Sequence, residues 1–121
     1  MKILAIAICS ILFSVAAQFS LKAGMSSVDV RQSLALPFTA RTIFSLVGNV
    51  KILMGFLLYG LGAIIWLAVL SKWDVSKAYP LVGLGFVLSL AVGFLIGEQI
   101  TTIRLIGVGF ICLGIMLVAS S

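Results

Sequence analysis

Residues 3–23 read ILAIAICSILFSVAAQFSLKA. As a helix this stretch rises about 30 Å at about 1.5 Å per residue, the thickness of a bilayer's hydrocarbon core. It also carries Ser10, Ser14, Gln18 and Lys22 at strict four-residue spacing. Each four-residue step turns a helical side chain about 40° beyond a full turn, so the four form one slowly winding polar stripe. An unpartnered buried amide or hydroxyl costs on the order of 2 to 7 kcal/mol in an apolar medium. The stripe is therefore expected to face a hydrated cavity or another helix, not lipid.

The rest of the chain has the same character. Of its 121 residues 63% are hydrophobic and 9% charged, with no histidine, and the mean hydropathy is +1.35. Soluble domains carry about 25% charged residues, so the composition is that of an integral membrane protein. Three further stretches suit a membrane span: about 52–70, about 78–97 and about 103–119. Lipid offers the backbone no hydrogen-bond partners, so each must be helical. The expected fold is all-α, one domain over 1–121 with four transmembrane helices. MKILAIAICSILFSVAA before Gln18 has the basic start, apolar core and small residues of a secretory signal. The apolar run continues to Ala23, however, so we read a retained span.

The connections are unequal. Residues 24–51 mix Leu34, Leu36, Phe38, Ile43, Phe44, Leu46 and Val47 with Arg31 and Arg41, and Pro37 interrupts them. Too polar to span and too apolar for a free linker, this segment is expected to form one or two short amphipathic pieces in the headgroup region. SKWDVSK, with Trp73 as an interfacial anchor, and GEQITT are tight turns that force antiparallel neighbours. Lys2, Lys72 and Lys77 fall on one side, and Lys22, Arg31, Arg41, Lys51 and Arg104 on the other. The positive-inside rule then turns both termini outward, by a margin narrow enough to leave insertion in either orientation open.

The net charge of +5 is spread over span ends, which argues against nucleic-acid binding. Cys9 and Cys112 lie in apolar runs without partners at ligand spacing, so we expect neither a metal site nor a disulfide, and no cofactor. An enzyme is not expected either, because no nucleophile, base and oxyanion constellation is visible. No Asp, Glu or His lies within the four spans; Glu98 stands at the end of the third and Asp29 and Asp74 in connections. That disfavours a proton-coupled exporter of cations, which normally needs such groups.

The candidate binding residues are Ser10, Ser14, Gln18 and Lys22, with Lys51, Lys77 and Arg104 as further cations suited to a phosphate. Tyr59 and Tyr79 supply hydroxyls. Against this, serines often only join helices, Lys22 can snorkel to headgroups, ordinary flanking charge accounts for each cation alone, and Tyr79 can be an interfacial anchor. Gly93 and Gly97 in the third span, and Gly107 and Gly114 in the fourth, are candidates for close helix packing or dimer contact. Four short helices enclose little space, so passage of a large substrate calls for a second copy or a partner.

SVAAQFSLK (14–22), AYPLVGLGFVLSLAVGFLIGEQ (78–99) and IRLIGVGFICLGIMLV (103–118) together resemble the four-helix members of the drug/metabolite transporter superfamily, in its EamA-like branch. Within it the chain is similar to the small subunits proposed to flip undecaprenyl-phosphate-linked aminoarabinose across the bacterial inner membrane. The resemblance covers the four spans and not the long first connection. Gly107 and Gly114 also resemble the glycines that pack the fourth helices of small multidrug resistance exporters. Those have an essential glutamate in the first helix; aligned through Lys22, the position here is Ser14. The resemblance implies a multi-pass inner-membrane transporter that acts as a homodimer or a heterodimer with a similar small subunit. Its expected substrate is a polyprenyl-phosphate-linked sugar or another anionic lipid. Two other functions stay open: export of small solutes, and a non-transporting assembly subunit of a membrane glycosylation complex.

Overall fold

A computed structural model of the protein describes residues 2–35 and 40–121. The described residues form helices joined by short turns, with no strand among them. In chain order the helices are α1 (Lys2–Met25), α2 (Val28–Ala35), α3 (Ala40–Val47), α4 (Val50–Leu70), α5 (Val75–Ala78), α6 (Leu84–Leu95) and α7 (Thr102–Ala119). A 3-10 turn, Tyr79–Gly83, joins α5 to α6. Lys2–Met25, Val50–Leu70, Val75–Leu95 and Thr102–Ala119 are long and apolar enough to cross a membrane. The protein is a four-span, all-helical membrane protein.

The third span starts at Val75, three residues before the expected Ala78. Near its start Pro80, which has no N–H to donate, sits at the head of the 3-10 turn. The span ends at Leu95 because Gly97 takes the left-handed conformation, φ +93°. The Gly97 N–H donates to Phe94 O at 3.2 Å and the Glu98 N–H to Gly93 O at 2.8 Å. This is the paired bonding of a Schellman cap, and glycine meets its positive φ without strain.

The long first connection forms two short helices, α2 and α3. Leu36, Pro37 and Phe38, on which the expected break rests, lie outside the described residues. In α3 the apolar Ile43, Phe44 and Val47 are exposed while Thr42 is buried. Asn49 ties this segment to the spans. Its Oδ1 accepts from the N–H groups of Lys51 (3.0 Å) and Ile52 (3.3 Å), capping α4, and its Nδ2 donates to Ser27 Oγ at 3.1 Å.

The tightest packing joins α1 to α4, along a seam of small residues. Ser10, Ala17 and Gly24, seven apart, are buried on α1, and Gly55 and Gly62, also seven apart, are buried on α4. A β-carbon on Gly55 would meet Leu21 Cγ at 2.6 Å, and one on Gly62 would meet Phe13 Cβ at 3.1 Å. Without those side chains the backbones approach closely enough for Ser10 Oγ to donate to Gly62 O at 2.6 Å, and Ser20 Oγ donates to Lys51 O at 2.6 Å. Beside this seam the core gathers Ala7, Ile11 and Val15 of α1 with Val69, Ala78, Leu81 and Ile115. Gly83 of the 3-10 turn admits α7, since a β-carbon there would meet Ile115 Cδ1 at 2.8 Å. Ile115 is the residue of α7 that is buried; most of that helix faces outward.

Candidate functional site: a cavity beside the first helix

A cavity of about 820 Å³ lies between α1, α4 and the third span. Ser10, Ser14, Gln18 and Lys22 all line it from α1. They do not contribute equally. A seven-residue seam drifts only about 20° per repeat on a helix, whereas the four-residue stripe drifts about 40° per step. The two share Ser10 and diverge from it. Ser10 is therefore buried against α4, Ser14 is half-buried, and Gln18 and Lys22 are exposed to the cavity.

The hydrogen bonds follow the same gradient. Ser10 spends its proton on Gly62 O and acts as a joint between helices. Ser14 Oγ donates back to Ser10 O at 3.2 Å and remains free to accept, and the residue lines the cavity. The open polar wall thus consists of the Ser14 oxygen, the Gln18 amide and the Lys22 ammonium.

The facing walls are mainly apolar and aromatic. Helix α4 contributes Tyr59, Ala63 and Trp66; the third span contributes Tyr79, Val82, Phe86 and Ser89. Tyr59 and Tyr79, both candidates from the sequence, therefore reach the cavity. A mostly apolar pocket with a few convergent polar groups, in the range of about 300 to 1,000 Å³, is the usual form of a small-molecule or headgroup site.

Three of the cations singled out from sequence are not among its lining residues. Lys77 Nζ sits 4.8 Å from the Trp73 ring centroid, a cation–π contact at the head of the third span. Arg104 Nη1 donates to Gln99 O at 3.0 Å. Lys51 is exposed at the start of α4, its carbonyl engaged by Ser20.

Glu98, which stands at the end of the third span and is not among the candidate binding residues from the sequence, does line the cavity. Its carboxylate folds back over Gly93, occupying the space a β-carbon there would fill, with Glu98 Cδ at 3.2 Å from that position. The available signal was the Gly93, Gly97, Glu98 spacing. Gly97 shapes the turn and Gly93 leaves room for the returning carboxylate, so both glycines act within one chain. Gly107 and Gly114 differ: a β-carbon on either would meet nothing within 4 Å, and their helix face is open.

Comparison with known proteins adds a specific likeness. The chain is similar to flippase subunits named ArnE. Over 64 residues it is 45% identical to the probable 4-amino-4-deoxy-L-arabinose-phosphoundecaprenol flippase subunit ArnE of Serratia proteamaculans, covering 52% of this chain and 56% of that protein. Over 57 residues it is 40% identical to the subunit so named in Pseudomonas savastanoi pv. phaseolicola, covering 46% and 50%. Over 61 residues it is 39% identical to that of Yersinia pestis, covering 50% and 54%. The chain spans about half the length of the curated relatives it matches. No family model and no solved structure matches it. The likeness agrees with the resemblance carried by Ser14–Lys22 and the third and fourth spans.

Proposed function

We propose that the protein is a subunit of a lipid flippase of the bacterial inner membrane. Its cargo is a polyprenyl-phosphate-linked sugar, of the kind named for the ArnE relatives. The observation that carries this reading is the open wall of α1, where Gln18 and Lys22 face a cavity large enough for a sugar phosphate and lined opposite by aromatic side chains. Lys22 supplies the charge for the phosphate, and Gln18 and Ser14 supply hydrogen bonds for sugar hydroxyls. The long apolar tail stays in the bilayer. The amphipathic α3 lies in the headgroup layer beside the route by which the lipid arrives. The open Gly107–Gly114 face of α7 meets a second copy or a similar small subunit, which completes the passage.

The test is translocation of a polyprenyl-phosphate sugar in proteoliposomes, comparing the natural sequence with Gln18→Ala and Lys22→Ala. We expect Lys22→Ala to lose about tenfold or more, the worth of one charge-assisted hydrogen bond, and Gln18→Ala to lose about fivefold, the worth of a neutral one. Unchanged translocation in both variants removes the proposed track.

Glu98 favours a second reading, export of a small organic cation, because it gives the cavity a carboxylate. Lys22 in the same cavity opposes it by repelling a lone cation. Proton flux that depends on added cation, with no movement of the lipid, would select the exporter.

A further inference from the structure

We infer that Glu98 is the group that selects a cationic amine on the headgroup, a specificity-determining residue of the proposed site; this rests on the flippase reading above. Lys22 lies in the last turn of α1 and Glu98 directly beyond the end of α6. Helix α1 and the third span are separated by one antiparallel span, so they run in the same direction and these two ends lie together. Both residues line the same cavity. The cavity therefore offers an ammonium and a carboxylate at one end, which matches a headgroup carrying both a phosphate and an ammonium.

The way Glu98 is held argues that this carboxylate serves a ligand. A negative charge just past a helix C-terminus is repelled by the helix dipole, so Glu98 does not stabilise α6. The cap that ends α6 nonetheless places it: the positive φ of Gly97 and the bond from the Glu98 N–H to Gly93 O turn the chain, and the missing side chain of Gly93 leaves room for the carboxylate. Together they turn the carboxylate back onto the last turn of α6, where it borders the cavity. An ammonium on the headgroup can make a charge-assisted hydrogen bond to this carboxylate, and an analogue with a hydroxyl in its place loses that charge assistance.

The test uses proteoliposomes containing the full chain with any subunit that co-purifies from native membranes. Two lipids are compared: a polyprenyl-phosphate aminosugar and the same lipid with a hydroxyl replacing the amine. The readout is the ratio of their translocation rates. The natural sequence is expected to favour the amine by about tenfold or more. Glu98→Gln, nearly isosteric, is expected to bring the ratio toward one. Gly93→Ala, which displaces the carboxylate but keeps its charge, is expected to lower it as well. Lys22→Ala is expected to slow both lipids together and keep the ratio. A ratio unchanged in Glu98→Gln while both lipids move overturns the role of Glu98 and leaves the flippase reading standing. If neither lipid moves with the natural sequence, the flippase reading falls and this inference with it.

Discussion

Ser10 and Gln18 belong to one polar stripe and do different work, and their variants should separate cleanly. Ser10→Ala removes the bond to Gly62 O and is expected to lower the stability of the bundle by about 1 kcal/mol, measured by denaturant titration in detergent. Gln18 makes no side-chain hydrogen bond among the described residues, so Gln18→Ala is expected to change stability by less than about 0.5 kcal/mol while impairing translocation. Equal stability losses would mean that the stripe is packing from end to end. The stripe itself was legible in the sequence, because four-residue spacing on a helix leaves few faces available. Its division was not. That depends on the seam of Ser10, Ala17 and Gly24 against Gly55 and Gly62, which only tertiary packing selects from the many small residues in the spans. Glu98 was missed for a related reason: a residue just beyond a span reads as a connection unless the turn that folds it back is recognised.

At the scale of elements, two caps fix where the spans begin and end. Asn49 caps α4 and reaches Ser27, so Asn49→Ala is expected to cost about 1 kcal/mol and to loosen α2 and α3, seen as faster hydrogen exchange over residues 28–35 and 40–47. Gly97→Ala forces an L side chain into a left-handed position and is expected to cost about 1–2 kcal/mol. The four spans were legible from hydropathy alone because lipid demands long apolar helices. The radial position of the flanking cations was not, since a nearly uniform apolar helix carries little record of which side faces its neighbours. Lys77 and Arg104 accordingly engage local partners, the Trp73 ring and the Gln99 carbonyl, and Lys51 stays exposed.

For the whole molecule, the α1–α4 pair forms a close-packed spine, the third span leans on it, and α7 covers the 3-10 turn while exposing most of its own surface. The exposed apolar side chains, among them Ile103, Phe110 and Leu117, suit lipid or another subunit. Replacing Gly107 and Gly114 together by leucine meets no atom of the same chain near the backbone. We expect it to preserve the helical content of the purified protein and to weaken association, read as a smaller mass by light scattering in detergent. Unaltered association would assign the subunit contact to another face.

The polar wall of α1 faces a cavity, and in the proposed function that cavity receives a charged lipid headgroup. Thiol labelling tests it most directly. In a background with Cys9 and Cys112 replaced by alanine, Gln18→Cys is expected to react with a membrane-impermeant maleimide and to be shielded by a polyprenyl-phosphate sugar. A cysteine at Ala17, buried in the α1–α4 seam, is expected to stay unreactive. A Gln18→Cys thiol that reacts no faster than the Ala17→Cys thiol, or that reacts at the same rate with and without the lipid, would contradict the account.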